Sequence, residues 1–330
     1  MEIFNKDNSD IEESFNIHTD LAVENREKFA GQNVEIPGVK LEEEDVYSDV
    51  RLTKVQIVTD EGASIMGKPK GNYITIEVYN MNEGYPPQGM KNVAEILAEE
   101  LRRMLPVKNP QDIEKLSVLV VGLGNRDVTP DALGPYVISN LEVNRHIYML
   151  QKKPVTGKGV SAMIPGVMAQ SGMESAEMVK GIVKQIKPDV VIAIDALAAR
   201  NTRRLNRTIQ IADTGIHPGS GIGNHRMGLN QETLGVPVIA IGIPTVIDAA
   251  TIVSDTIDAM IKAFESASKQ EKGSLTNVFS EFTPAQKIQL IRELLEPQLG
   301  TMFVTPKDID ENIKCMAETV ACGINAVFAV

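Results

Sequence analysis

Two carboxylates, each reached from an apolar run, are the residues of this chain best suited to chemistry. Val118-Leu119-Val120-Val121 stops at Gly122-Leu123-Gly124-Asn125, and Asp127 and Asp131 follow; Val190-Val191-Ile192-Ala193-Ile194 runs into Asp195 with no turn former between. Short β-branched runs of this kind read as fully buried parallel strands, and Gly122, Gly124 and Asn125 allow the sharp turn after the first. Catalytic groups of open α/β sheets gather beyond the carboxyl ends of strands. If the two strands are neighbours, about 5 Å apart, Asp131 and Asp195 can converge on one water molecule. Two carboxylates sharing a site cannot both ionise easily, so one stays protonated while the other acts as base. A purely structural reading stands beside this one, with Asp131 capping a helix and Asp195 ending a strand.

Other groups compete for a role. The loop Gly215-Ile-His-Pro-Gly-Ser-Gly-Ile-Gly-Asn224 follows another apolar run and belongs to the same edge. Neither it nor 122–127 carries the third glycine of a dinucleotide fingerprint, and no Gly-Lys-Ser/Thr follows, which weakens the reading as a nucleotide-binding module. A loop that lets a peptide backbone approach and offers N–H groups to an oxyanion is the functional alternative; a plain connection is the structural one. Of His18, His146, His217 and His225, only His217 lies near a strand end beside a flexible loop. Asp131, Asp195 and His217 therefore form the alternative, a mononuclear metal site, although no His-x-x-x-His or paired-cysteine spacing accompanies them. Cys315 and Cys322 sit in an apparent helix from Lys307 to Phe328, about 10 Å apart at 1.5 Å rise per residue. That is too far for a disulfide, and they read as packed core thiols.

These candidates need a scaffold, and the pattern supplies one. Residues 1–20 are polar and acidic and read as a mobile, removable extension. Lys54–Val58 and Tyr73–Val78 alternate, with Gly-rich turns between, which predicts a strand pair before the main sheet. Val93, Ile96, Leu97, Leu101 and Met104 share one face of a helix over Met90–Leu105. Ser171 and Glu174 form a capping-box pattern before a helix that Pro188 stops. Strands follow at Ile209–Ala212, ending at Asp213, and at Val236–Ile243, ending at Gly242 and Pro244 before a helix from Val246 to about Ala267. Thr283-Pro284 and Thr305-Pro306 read as cap and first-turn pairs of two last helices. Alternating strands and helices predict an α/β fold with a mostly parallel sheet and helices on both faces.

Composition narrows the function. The 330 residues carry a net charge of −11, against a nucleic-acid surface, which needs clustered Lys and Arg. No apolar run approaches a membrane span, and Met1-Glu-Ile-Phe-Asn-Lys-Asp7 lacks a basic region with an apolar stretch after it, so a cytoplasmic protein is expected.

The residues also carry a resemblance. Gly122-Leu-Gly-Asn125 with Val128-Thr-Pro-Asp-Ala-Leu-Gly-Pro135, Ile194-Asp-Ala-Leu-Ala-Ala-Arg200, Asp213-Thr-Gly-Ile-His-Pro-Gly-Ser-Gly-Ile-Gly-Asn224 and Thr19-Asp-Leu-Ala-Val-Glu24 resemble the germination protease of endospore-forming bacteria, in the same order along nearly the whole chain. The resemblance implies an endopeptidase that degrades small acid-soluble spore proteins during germination, made as a self-processing zymogen, with an α/β core similar to hydrogenase maturation endopeptidases. It also implies a homotetramer in the forespore and spore core. Carried over by position, Asp131 and Asp195 are the catalytic pair of an atypical aspartic-type protease, without cofactor. Thr19–Glu24 matches the processing motif, with cleavage between Asp20 and Leu21, giving a propeptide 1–20 and a single protease domain 21–330. Arg126 and Asp127 depart from the family pattern, which has an aromatic and an amide there, so Asp127 is set aside as a catalytic candidate. It remains able to raise the Asp131 pKa or to pair with Arg126.

Overall fold

The computed structural model describes residues 19–30, 36–79, 87–150, 159–218, 227–267, 290–291 and 302–328. Its centre is one nine-stranded sheet, β1 (Val39–Tyr47), β2 (Val50–Ile57), β3 (Gly71–Val78), β4 (Ser117–Gly122), β5 (Gly159–Met163), β6 (Val190–Ala199), β7 (Thr208–Ala212), β8 (Val238–Asp248) and β9 (Phe303–Val304), in the order β1-β2-β3-β7-β8-β6-β4-β5 with β9 on β8. The β5-β4-β6-β8 section is parallel; β1, β2, β3 and β7 run antiparallel to their neighbours. This is the expected α/β architecture with a parallel core. The predicted N-terminal strand pair is β2 and β3, extended by β1 and joined through β7 into the main sheet.

The buried strands divide their side chains between two cores, as a period of two requires. Val118, Val120, Val190, Ile192 and Ile194 enter one, packed by helices Pro87–Met104, Leu133–Ser139 and Ile309–Phe328; Leu119, Val121, Val191, Ala193 and Leu197 enter the other, against helix Ser175–Ile186. Leu21 and Val23 belong to the second core as well. No described helix is long and apolar enough to cross a membrane.

Several local expectations change. A helix, Asp60–Met66, replaces the Gly-rich turns between β2 and β3, because Thr59 caps it through its hydroxyl, which accepts from the Gly62 N–H at 3.1 Å. Ser171 starts nothing: it ends a one-turn helix that Gly172 closes at φ +71°, and the next helix is capped at Glu174 without a side-chain bond. β8 runs through Gly242 and Pro244 to Asp248, so the following helix begins at Ala249 rather than Val246. The strand tolerates Pro244 because the register slips there, with Leu197 opposite Pro244 but Ala198 opposite Val246, and a bulge does not require the missing donor. Thr305 donates to the Thr245 carbonyl at 2.8 Å, and the last helix starts four residues later at Ile309. Cys315 is half-buried and packs against the first core, as expected, whereas Cys322 is exposed and is not a packed core thiol. Thr283-Pro284, His18 and His225 lie outside the described residues.

Leu97 is fully buried against Gly323 of the last helix. Leu97→Ala is expected to lower unfolding free energy by about 2–5 kcal/mol, measured as a urea midpoint. A change under about 1 kcal/mol would mean that this helix pair is not part of the core.

Candidate active site

Asp131 and Asp195 line one cleft of about 410 Å³ together with Asp20, His217 and Thr245. The sheet register brings the two carboxylates together. β4 and β6 are parallel neighbours with Gly122 opposite Ile194, so Asp195 lies one residue beyond the point where β4 gives way to its loop. Asp195 does not end its strand: β6 continues to Ala199, and Asp195 stands opposite Gly242 of β8, only 6 % exposed. Its Oδ1 accepts from the Ala196 N–H at 3.0 Å.

Asp131 comes from the loop after β4 and is fixed from two sides. Its Oδ2 accepts from the Asn125 N–H at 2.8 Å, and the same N–H reaches the Asp131 carbonyl at 3.0 Å. Gly124 permits this closure, at φ +102° with space such that a Cβ would stand 2.0 Å from the Asp131 carbonyl oxygen. From the other side the Thr245 hydroxyl donates to the Pro130 carbonyl at 2.7 Å, tying the Thr129–Asp131 turn to the bulge of β8. Asp131 caps no helix, since the helix Leu133–Ser139 is preceded by Ala132 with no side-chain cap.

The segment Thr19–Glu24 is docked in the same place. The Asp20 N–H donates to the Ala198 carbonyl at 3.1 Å, and Asp20 Oδ2 accepts from the Ala198 N–H at 2.9 Å. Gln210 holds both sides of Leu21, its Nε2 donating to the Asp20 carbonyl at 3.0 Å and its Oε1 accepting from the Ala22 N–H at 2.7 Å. Lys68 Nζ donates to the same Asp20 carbonyl at 3.0 Å. Glu24, almost fully buried, accepts from the Thr19 hydroxyl and from the N–H groups of Arg200 and Asn201 at 2.8 and 2.9 Å. Arg204 completes the anchor, with Nε on Glu77 at 2.7 Å and its amino groups on Glu27 at 2.6 and 2.8 Å. Burial alone would lower the Arg204 pKa, but the bonds to Glu27 and Glu77 outweigh it and raise it. Thr19 and Asp20, the last residues of the expected extension, are therefore packed here, while 1–18 lie outside the described residues.

The other candidates separate. Asp127 is exposed and lines no part of the cleft, and Arg126 lies over the Tyr136 ring, 5.8 Å from its centre. His217 lines the cleft, its pKa lowered by burial and then by the nearby Lys68 charge. Among the described residues no group of three or more His, Cys, Asp or Glu side chains is arranged to hold a metal, and Asp131, Asp195 and His217 do not form one. Of the glycine loop, Gly215–Pro218 is described, and 219–224 lies outside the described residues. Sequence reasoning missed Lys68, Gln210 and Thr245. Gln210 left a signal, a single amide inside the otherwise apolar, buried run Ile209–Ala212; Lys68 left none.

A family model described as germination protease matches residues 16–278 and 266–329. The chain belongs to the germination protease family. It is 42 % identical over 315 residues to the germination protease of Clostridium perfringens strain ATCC 13124, covering 94 % of each chain. It is likewise 42 % identical over 344 residues to that of Bacillus subtilis strain 168 (94 % of this chain, 92 % of the relative) and 45 % over 311 residues to that of Caldanaerobacter subterraneus subsp. tengcongensis (94 % and 93 %). A solved hydrogenase maturation protease, HycI from Thermococcus kodakarensis KOD1, aligns with 64 % of this chain and 94 % of its own at 16 % identity and a TM-score of 0.29. The chain is thus a peptidase.

Adding a methyl at Gly124 forces the loop off the Asp131 carbonyl. If Asp131 acts in catalysis, Gly124→Ala is expected to cut proteolytic turnover about 10²-fold, the size of loss that a shift on the order of 1 Å brings at a reacting group, with unchanged far-UV circular dichroism. Native turnover in this variant would show that the Gly124 turn does not position Asp131.

Proposed function

We propose that the protein is made as a zymogen that cuts itself between Asp20 and Leu21 and then degrades small acid-soluble spore proteins, using Asp131 and Asp195 to activate water. The observation that carries the reading is the meeting of Asp131, Asp195 and Asp20 in one cleft, with the backbone around Leu21 held by Ala198 and Gln210. An ionised carboxylate takes a proton from water, the hydroxide attacks the Asp20 carbonyl carbon, and the second, protonated carboxyl supplies a proton as the bond to Leu21 nitrogen breaks. The unequal surroundings favour a division of labour, because Asp195 is buried inside β6 whereas Asp131 is part-exposed on a loop. Family membership supports the spore-protein substrate, the homotetramer and a site of action in the forespore and spore core. The acidic composition, net charge −11, suits an enzyme that takes proteins rather than nucleic acid.

Asp131→Asn and Asp195→Asn are each expected to abolish cleavage of an acid-soluble spore protein while the fold persists, since an amide keeps the size but cannot be a base. Product mapping by mass spectrometry reads this, and substantial activity in Asp195→Asn with native circular dichroism would remove the aspartate pair from the mechanism.

Amino-terminal sequencing of the active form is expected to begin Leu-Ala-Val-Glu, and chelation to leave its activity unchanged. Loss of activity on chelation, restored by one divalent metal, would favour Asp131, Asp195 and His217 as ligands instead.

A further inference from the structure

The Asp20–Leu21 peptide group stands at the junction of two spaces. Asp131 and Asp195 line the cleft on one side; Lys68 and Gln210 line a second, smaller pocket that shares Asp20, Leu197 and His217 with the first. Neither donor lines the cleft that holds the acids, and neither acid lines the pocket that holds the donors. The Asp20 carbonyl oxygen accepts from both Lys68 Nζ and Gln210 Nε2, each at 3.0 Å.

We propose that Lys68 and Gln210 are catalytic residues that receive the negative charge developing on the scissile carbonyl oxygen, the inference resting on the protease reading above. Donors already aimed at the oxygen where charge grows need no reorganisation during reaction, and in a site shielded from water they act far more strongly than in solvent. Lys68, in its protonated form, brings a positive charge and Gln210 a fixed dipole. Water adds to the Asp20 carbonyl carbon from the acid side, its proton passing to the ionised carboxylate. The π electron pair moves to the oxygen held by Lys68 and Gln210, and collapse breaks the carbon–nitrogen bond as the protonated carboxyl delivers its proton to the Leu21 nitrogen. The products are a carboxyl group at Asp20 and an amine at Leu21, which accounts for every atom of the water.

Both donors are built in rather than incidental. Lys68 follows the C-cap of the helix Asp60–Met66, where Gly67 turns at φ +59° and the Lys68 N–H closes onto the Ala63 carbonyl at 3.2 Å. The next carbonyl, Pro69, is pinned by the Tyr73 hydroxyl at 2.8 Å. Burial lowers the Lys68 pKa while the Asp20 charge opposes the fall. Gln210 is buried in β7, on the same face of the sheet as Asp195 and separated from it by Gly242, which pairs with both. Its two amide atoms are both engaged by the docked chain, so its orientation is fixed by that chain.

The test uses the full chain for self-processing, and the chain beginning at Leu21 for kinetics on a synthetic peptide that spans the mapped cut in an acid-soluble spore protein. Lys68→Met is expected to slow self-processing about 10²-fold or more, the usual loss for one such donor, and to lower kcat on the peptide in proportion with KM changed less than about threefold; Lys68→Arg should recover a large part of the rate. In the unaltered enzyme, the product peptide 14–20 with a free terminal carboxylate should inhibit at least about tenfold more strongly than the same peptide ending in an amide, since the carboxylate reproduces the oxyanion's charge. This measurement needs no folded variant. A Lys68→Met protein that cuts within about threefold of the native rate, a loss confined to KM, or equal inhibition by acid and amide would overturn the assignment. A native chain that produces no Leu21 terminus and does not cut the peptide would instead overturn the protease reading, and this inference with it.

Discussion

The arrangement of the active edge depends on the register of the parallel ladder between β4 and β6. With Gly122 opposite Ile194, the chain leaves β4 one residue before Asp195 on the neighbouring strand, so the loop carrying Asp131 starts beside that carboxylate, and both line one cleft. A slip of one residue would turn Asp195 to the opposite core. The same strand, continued past Asp195, supplies the Ala198 backbone groups that hold Asp20, and its partner β8 supplies the Thr245 hydroxyl that fixes the turn before Asp131. Three separate pieces of chain are thus indexed to β6.

Docking of Thr19–Glu24 is secured by polar groups removed from water. Burying Glu24 and Arg204 costs desolvation energy that attraction alone does not always recover. Here the carboxylate also accepts from two backbone N–H groups and a hydroxyl, and the guanidinium is met by Glu77 and Glu27 as well. Satisfying nearly every donor and acceptor makes the geometry specific, because any shift of the segment would leave a buried charge short of partners. Leu21 and Val23 add apolar burial in the second core. The segment is consequently held both by packing and by directed bonds, with the Asp20 carbonyl set between the cleft and the smaller pocket.

Much of this was legible in the residues. β-branched runs at 118–121 and 190–194 gave the central strands because burial on both faces leaves no room for polar residues, and the stripe from Val93 to Met104 gave its helix through its period. Asp131 and Asp195 stand out in the sequence because each follows an apolar run, Asp131 after a glycine-rich turn and Asp195 with no turn former between, although β6 in fact continues through Asp195. Other features could not be read in this way. The length of β8 is hidden in the sequence because Pro244 and Gly242 look like terminators locally, and only pairing across to Leu197 and Ala198 reveals a bulge that accommodates Pro244. The cap at Ser171 failed because its meaning depends on Gly172 turning the chain first.

Sequence alone determined most of the strand pattern, the acidic balance and which carboxylates are candidates, all read from residue types and their local order. Tertiary structure decided which distant residues share a site. Lys68 and Gln210 meet Asp20 across separations of 48 and 190 positions, and Thr245 meets Pro130 across 115. No local period or propensity encodes such meetings, because they follow from the order in which strands pair, and that order is fixed by the burial of the whole sheet rather than by any segment of it.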